Sequence, residues 1–223
     1  MDIHGDQIQG ARRRQEDSLA WTSLGDFQLA VVADGMGGHP GGDVASNAAI
    51  DSFVDYLRAT PAECWQQPPA VLEAALRAAD ARLHVIERDH PALAGLGTTL
   101  AALLFAPDAV YRASVGDSLI YRLDGDRLAR VNEVHGDGPT VSSCLGPAFT
   151  RVDVAQLSPA RALHPRYLIA SDGIETLPES ALAETMGTAV SAQAAVTGLL
   201  ARIDTANAVG QDNATVVAAL PDY

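Results

Sequence analysis

The stretch AVVADGMGGHPGG, residues 30–42, begins as an apolar run, stops at Asp34 and continues into glycine. A run of this kind is typical of a buried strand, and Asp-Gly is a common turn dipeptide. The simplest interpretation is therefore a strand followed by a turn. A strand would also hold the Asp34 carboxylate in a fixed position, and the glycine after it would let a backbone carbonyl approach a ligand closely.

Two further segments place an aspartate at the end of an apolar run. Residues 168–173 read LIASDG and carry Asp172, while residues 210–213 read GQDN and place Asp212 just before the apolar run 214–220. Clustered carboxylates in a cleft repel one another, so they need a cation or bound protons. Oxygen ligands without histidine or cysteine suit magnesium or manganese better than zinc. The pattern predicts a site for hard divalent ions.

Residues 12–17 read RRRQED and add an acidic pair, Glu16 and Asp17, behind three arginines. One interpretation of the arginines is a solvated charged run. The other is a guanidinium beside a carboxylate and metal site, where it would bind a phosphate oxygen in a bidentate manner. Residue type alone leaves both interpretations open.

The glycine-rich run 35–42 fits other phosphate-handling schemes poorly. A P-loop would end in Gly-Lys-Ser/Thr, but Asp43 stands where the lysine is needed. Pro40 breaks the dinucleotide-binding fingerprint, and Met36 stands where an aspartyl-phosphate enzyme would have its second aspartate. The carboxylates therefore remain the best candidates for the chemistry.

The composition favours one domain over residues 1–223, because 48% of the residues are apolar and the length supports a substantial core. With 28 acidic and 15 basic residues the formal net charge is -13, so a nucleic-acid partner is not expected. No apolar run is long enough to span a bilayer, and residues 1–10 do not resemble a secretion signal. We therefore expect no membrane partner and a cytoplasmic location. Cys64 and Cys144 fit no disulfide framework.

Hydrophobic periodicity predicts an α+β fold of antiparallel sheet covered by helices. Short turns such as 106–108 and 124–126 link several strands, which favours antiparallel neighbours. Strands are predicted over residues 18–21, 27–33, 98–105, 109–115, 118–123, 152–157, 167–170 and 214–220. Helices are predicted over residues 42–58, 69–88 and 190–203. The irregular stretch 132–147 is predicted to be exposed.

Six motifs make the chain resemble the metal-dependent serine/threonine protein phosphatases, the type 2C or PPM family, in its bacterial form. Each motif is modestly specific, but together they follow the family's order and cover almost the whole chain. The motifs are RxxQED (12–17), VADGMGGH (32–39), GTTL (97–100), SVGDS (114–118), SDGI (171–174) and DNATVV (212–217).

The resemblance implies a four-layer αββα sandwich, in which two packed antiparallel β-sheets are flanked by helices. It also implies two manganese or magnesium ions at one end of the sheets. By position, Asp34 would bridge both ions and Gly35 would offer its carbonyl to one of them. Glu16 or Asp17 would reach that same ion, directly or through water.

The remaining implied roles follow from the later motifs. Asp172 and Asp212 would hold the other ion, and Arg12 would bind the substrate phosphate. Water activated by the metals would attack phosphorus in line, without a phosphoenzyme. Asp117 would help to hold a weaker third ion, for which the family often has another aspartate at the position of Thr176.

Two departures from the family concern the substrate side of the site. Some relatives have a general-acid histidine directly after the first Asp-Gly, where this chain has Met36. His39 is the candidate catalytic histidine, and a simple loop histidine is the alternative. The stretch between residues 128 and 169 is shorter than in bacterial relatives, so a shortened flap region at about 131–150 and a more open cleft are expected.

The resemblance leads to one main hypothesis and two alternatives. The main hypothesis is metal-dependent hydrolysis of phosphoserine and phosphothreonine in proteins that a serine/threonine kinase has phosphorylated. The first alternative is a noncatalytic regulatory domain that keeps the fold and binds a protein partner. The second is a phosphatase for small phosphate esters, which a short flap would permit.

Overall fold

The computed structural model describes residues 1–36, 41–137, 140–157, 165–206 and 208–222. These residues form two five-stranded antiparallel sheets, a two-stranded ribbon and four α-helices. The first sheet contains, in spatial order, β10 (Asp153–Gln156), β5 (Val110–Val115), β4 (Leu100–Phe105), β3 (Phe27–Asp34) and β2 (Asp17–Leu24). The second sheet contains β1 (Asp2–Ile8), β12 (Ala214–Leu220), β11 (Arg166–Ala170), β6 (Leu119–Asp124) and β7 (Arg127–Arg130).

A ribbon, four α-helices and three short 3-10 helices (Ala62–Gln66, Pro91–Leu93 and Asp172–Thr176) accompany the two sheets. The ribbon pairs β8 (Gly136–Asp137) with β9 (Thr140–Val141). The helices are α1 (Gly42–Ala59), α2 (Pro68–Asp89), α3 (Glu179–Thr188) and α4 (Ala192–Ala206). In the part of the chain that the structure describes, no helix combines the length and apolar character needed to cross a membrane.

The two sheets pack against each other, and a pair of helices covers the outer face of each. In β3, Val31 packs in the core under α1 and α2, whereas its neighbour Val32 packs between the sheets. In β12, Val216 packs under α3 and α4, and Val217 packs between the sheets. Because side chains alternate along a strand, strands with two covered faces have continuous apolar sequences. The predicted αββα sandwich is confirmed.

The three predicted helices are confirmed, and each packs against the sheets through one apolar face. In α2 the buried side chains recur at the helical period, among them Leu72, Leu76 and Leu83. The observed ends of α1, α2 and α4 lie within about three residues of the predicted ones, which is the usual uncertainty of a helix end.

Five of the described strands and α-helices were not predicted from the sequence, namely β1, β7, α3 and the two ribbon strands β8 and β9, which lie in the stretch predicted to be irregular. The edge strands β1 and β7 are largely polar, so neither shows an apolar run. Helix α3 buries only Leu182 and Met186, which are too few residues to show the helical repeat of apolar positions in the sequence. Between β7 and β11 the described residues form only the ribbon and β10. Because 138–139 and 158–164 lie outside the described residues, the shortened flap stays a prediction.

Candidate metal centre

Acidic residues from both sheets meet at one end of the sandwich. Asp34 ends β3, and Asp17, which begins β2, is its antiparallel partner in the first sheet. In the second sheet, Asp172 lies just after β11 and Asp212 just before the neighbouring strand β12. Asp117 lies in the turn that joins β5 of the first sheet to β6 of the second. The strand tips singled out in the sequence are therefore brought together.

These strand ends surround a cleft of about 440 Å³. Among the described residues that line it, Arg12 is the sole cationic side chain. Its acidic lining consists of Glu16, Asp34, Asp117, Asp172 and Asp212. Its apolar lining includes Met36, Val141, Cys144, Pro147 and Ala148. One cleft thus combines a carboxylate cluster, a guanidinium and an apolar wall.

Asp17 differs from the other predicted ligands because it does not line the cleft. Its side chain is only 4% exposed. Its carboxylate accepts hydrogen bonds from the hydroxyls of Ser171 and Thr215, each at 2.7 Å. Both hydroxyls come from the second sheet, so Asp17 connects the two sheets below the cleft. Of the acidic pair, Glu16 is the one positioned to meet a ligand in the cleft.

The backbone of Asp34 is held by Thr98 and Thr99, the two threonines of the GTTL motif. The Asp34 amide donates to the Thr99 hydroxyl at 2.9 Å, and the Thr98 hydroxyl donates to the Asp34 carbonyl at 2.8 Å. Gly35 is needed next to them, because a Cβ there would lie 2.1 Å from the Gly42 carbonyl oxygen. These contacts fix the direction in which the Asp34 carboxylate enters the cleft.

Asn213 holds the segment that carries Arg12 and Glu16. Its side-chain oxygen accepts from the Glu16 amide at 2.9 Å, and its side-chain nitrogen donates to the carbonyls of Gln9 and Arg14 at 2.8 and 3.0 Å. Because Asn213 is 4% exposed, these bonds are shielded from water. This role could not be predicted from the sequence, where Asn213 is only a polar residue next to Asp212.

Arg12 forms an ion pair with Asp212 at the mouth of the cleft. The hydrogen bond to Asp212 raises the pKa of Arg12, and the more distant charges of Asp172 and Asp34 act in the same direction. The guanidinium therefore lies within the field of the carboxylate cluster, as the second interpretation of the arginines predicted. Arg13 and Arg14 are exposed and do not line the cleft.

Three aspartates of the cleft, Asp34, Asp117 and Asp172, have a raised pKa, chiefly because of burial, and so hold protons more tightly than ordinary aspartates. Burial, followed by the charge of Asp17 and then those of the other aspartates, raises the pKa of Asp34 well above its usual range. Burial, followed by the charges of Asp117 and Asp212, raises the pKa of Asp172 to about 6. Such a cluster requires protons or a cation to offset the repulsion among its charges.

The donor set fits magnesium or manganese, since the carboxylates and the Gly35 carbonyl supply only oxygen. In the described part of the chain, however, no three acidic, histidine or cysteine side chains form a preformed cage for an ion. Asp212 is instead engaged by Arg12, and Asp17 by hydroxyls of the second sheet. A divalent ion would therefore compete with Arg12 for Asp212.

Two remaining predictions concern residues at the margin of the site. His39 lies outside the described residues, so its catalytic role stays a prediction. Thr176, which stands where the family often has an aspartate, donates its hydroxyl to Gln211 and does not line the cleft. Of the two positions considered for a third ion, only Asp117 lines the cleft.

The two packed sheets and the acidic cleft at one end are the architecture that the type 2C resemblance implies. The chain belongs to the protein phosphatase 2C family, whose model matches residues 5–195. Serine/threonine phosphatase stp of Listeria innocua is 34% identical over 132 residues, which cover 56% of this chain and 50% of that protein. Serine/threonine protein phosphatase PstP of Mycobacterium tuberculosis is 31% identical over 166 residues, which cover 74% of this chain and 30% of that protein.

The matched part of the chain therefore spans half or less of the length of these two relatives. Solved structures match more completely. The Mycobacterium tuberculosis phosphatase PstP/Ppp has a TM-score of 0.81 at 26% identity, with 99% of this chain and 98% of that chain covered. A structure of the PstP catalytic domain in complex with two manganese ions has a TM-score of 0.82 at 26% identity and the same coverage.

Proposed function

We propose that this protein hydrolyses phosphoserine and phosphothreonine in proteins, using two manganese or magnesium ions held in the acidic cleft. The observation that carries the proposal is the convergence of carboxylates from both sheets around a cleft that also contains Arg12. The relatives, which are named as serine/threonine phosphatases, support a phosphoprotein substrate. We further propose that a serine/threonine kinase phosphorylates the substrate, that the protein acts in signal transduction and that it is cytoplasmic. These three parts of the proposal rest on the sequence interpretation.

The family resemblance suggests how the cleft residues would divide between the two ions. Asp34 would contact both ions, with Glu16 and the Gly35 carbonyl on one side. Asp172 and Asp212 would hold the other ion. Bound ions would activate water for attack on phosphorus and neutralise charge on the phosphate. A weaker third ion would depend on Asp117, because Thr176 is engaged by Gln211.

Arg12 is the residue of this chain proposed to bind the substrate phosphate. Its planar guanidinium presents paired donors that match phosphate oxygens. Its side chain is 48% exposed at the cleft, so it is accessible to a substrate. The bond that Thr98 donates to the Asp34 carbonyl and the bond that the Asp34 amide donates to Thr99 hold the Asp34 backbone in place while the phosphate binds, which reduces the reorganisation needed during reaction.

A substrate panel tests the proposed function against its two alternatives. With manganese present, we expect kcat/KM for a phosphothreonine peptide to exceed that for p-nitrophenyl phosphate and sugar phosphates by about tenfold or more, because flanking peptide residues add contacts outside the cleft. Hydrolysis of none of these substrates would favour the noncatalytic domain. Equal or faster hydrolysis of the small esters would favour a phosphatase for metabolites.

Arg12→Ala is expected to raise KM for the phosphopeptide more than it lowers kcat, because the guanidinium would bind substrate and transition state about equally. Loss of a charge-assisted contact corresponds to roughly 1.5–3 kcal/mol, or about a tenfold to hundredfold fall in kcat/KM. Steady-state kinetics measure this, with Arg13→Ala as the control, since Arg13 is exposed and away from the cleft lining. Parental kinetics for Arg12→Ala would assign Arg12 to the solvated run.

A further inference from the structure

Three polar side chains of α2 reach across to the loops beside the cleft. The Asp80 carboxylate accepts a hydrogen bond from the Gly146 amide at 2.8 Å. The Glu87 carboxylate accepts one from the Gly95 amide at 2.6 Å. Arg77 places its guanidinium carbon 5.9 Å from the centre of the Phe149 ring. An outer helix, which contributes nothing to the cleft lining, therefore contacts the segment that forms the apolar side of the cleft.

We call residues 144–149 the wall segment, because Cys144, Pro147 and Ala148 line the cleft. The wall segment belongs to no strand. It is held by bonds between Leu145 and Thr98, at 2.9 and 3.2 Å, and by a bond from the Cys144 amide to the Ala148 carbonyl at 3.1 Å. Leu145 also packs, fully buried, in the core under α1 and α2, so the wall is anchored at Leu145, and its other internal bond joins Cys144 to Ala148.

Gly146 is the turning point of the wall segment. Its φ is +96°, a conformation that side-chain-bearing residues rarely adopt, and a Cβ there would lie 2.4 Å from the Leu96 carbonyl oxygen. The amide of this tight turn donates to Asp80, whose side chain is only 16% exposed. Because the bond is charge-assisted and partly shielded from water, it should contribute more than a surface contact.

Thr98 forms hydrogen bonds both to the wall segment and to Asp34 on the carboxylate side of the cleft. The remaining hydrogen bonds of these two parts come from different residues. Thr98 pairs with Leu145 of the wall and also donates to the Asp34 carbonyl. Asp34 has further bonds to Thr99, at 2.9 Å from its amide and 2.9 Å to its carbonyl. Loss of the Asp80 contact should therefore displace the wall while the carboxylates keep their position.

We propose that Asp80 is a positioning residue that fixes the apolar wall and thereby sets the affinity of the cleft for phosphopeptides relative to small phosphate esters. The affinity part of this inference rests on the proposed function. A peptide extends from the phosphate along the wall and contacts it through the residues next to the phosphorylated side chain. A small ester occupies only the carboxylate and Arg12 side.

Three variants test the contact without relying on activity. Asp80→Ala removes the acceptor, Asp80→Asn keeps an amide oxygen that can still accept, and Asp89→Ala is the control, since Asp89 is an exposed residue of α2 whose ion-pair partner is its neighbour Arg88. Amide hydrogen exchange of residues 144–149 is the measurement. We expect exchange at Gly146 to rise about tenfold or more in Asp80→Ala and to stay near parental in the other two.

Kinetics with two substrates test the consequence. In Asp80→Ala, KM for the phosphothreonine peptide should rise on the order of tenfold, while kcat and KM for p-nitrophenyl phosphate stay within about twofold of the parent. Asp80→Asn should recover most of the peptide affinity. Unchanged exchange at Gly146, unchanged peptide KM, or a parallel loss on both substrates would overturn the inference. A parent that hydrolyses neither substrate would refute the proposed function alone, and Asp80 would then be judged by the exchange result.

Discussion

Asp34→Asn is expected to reduce hydrolysis of phosphorylated peptides to nearly nothing while the fold remains intact. Asparagine keeps the size and shape of the side chain but removes the charge proposed to hold both ions. If Asp34 served only as a turn residue, asparagine would replace it well, because both residues tolerate the same turn conformations. Turnover measured with manganese in excess therefore distinguishes a structural role of Asp34 in the turn from a role in holding the ions. Asp126→Asn, at an exposed turn between β6 and β7, is the matched control.

Thermal denaturation gives a second measure of the same substitution. Two unit charges about 5 Å apart repel by roughly 3 kcal/mol at an effective dielectric near 20, so removing one charge from the crowded cluster should relieve repulsion. The metal-free variant should melt at or above the temperature of the metal-free parent. Its stabilisation by manganese should shrink, because a ligand stabilises a protein only as far as it binds the folded state. Near-parental turnover with undiminished manganese stabilisation would show that Asp34 does not hold the ions.

Removing metal from the parent is expected to abolish turnover, and added manganese should restore it. The reason is that no side chain of the described cleft is an obvious substitute for an ion that activates water. Peptide hydrolysis would be measured after chelation, after dialysis, and after return of manganese or magnesium. Full turnover in metal-free protein, or a phosphorylated enzyme trapped by acid quench, would contradict the mechanism.

The metal-free protein should also become less stable as the pH rises from about 4 to 7. Asp172 has its pKa raised from 3.8 to about 6, so between these values the folded state binds more protons than the unfolded state and stability falls with pH. The full effect of this one group is roughly 3 kcal/mol. Thermal denaturation in the presence of a chelator, at several pH values between about 4 and 7, measures this loss of stability. In Asp172→Asn, stability should fall less steeply with pH than in the parent. An equally steep decline in Asp172→Asn would contradict the assignment.

The sequence predicted the parts of the fold that bury a continuous or periodic apolar pattern. Strand β12 is covered on both faces and reads as an apolar run interrupted by Thr215 alone, and α2 carries a full apolar stripe. Strand β1 could not be found in this way, because it lies at a sheet edge and is largely polar. Its Gly5 fits where a Cβ would lie 2.9 Å from side-chain atoms of both Leu19 and Val217, a constraint that only the packed sheets reveal.

The meeting of carboxylates in one cleft was predictable from the sequence for residues at strand tips, namely Asp34, Asp172 and Asp212. A residue's role was not predictable where it depends on partners far away in the chain. Asp17 is 154 residues from Ser171, which binds its carboxylate, so nothing local distinguishes its buried position from the cleft position of Glu16. The wall-forming contact between Asp80 and Gly146, 66 residues apart, is equally invisible in a single sequence.

The layer between the two sheets contains small residues, including Ala30, Ala101 and Ala219, as well as larger ones such as Val32 and Ile169. This layer sets the spacing of the sheets, and the sheets carry the opposing carboxylates. The width of the cleft therefore depends on how this interior layer packs. A bulkier side chain at one of these alanines would change the spacing across the cleft, and so the ion that fits best, without altering a single residue of its lining.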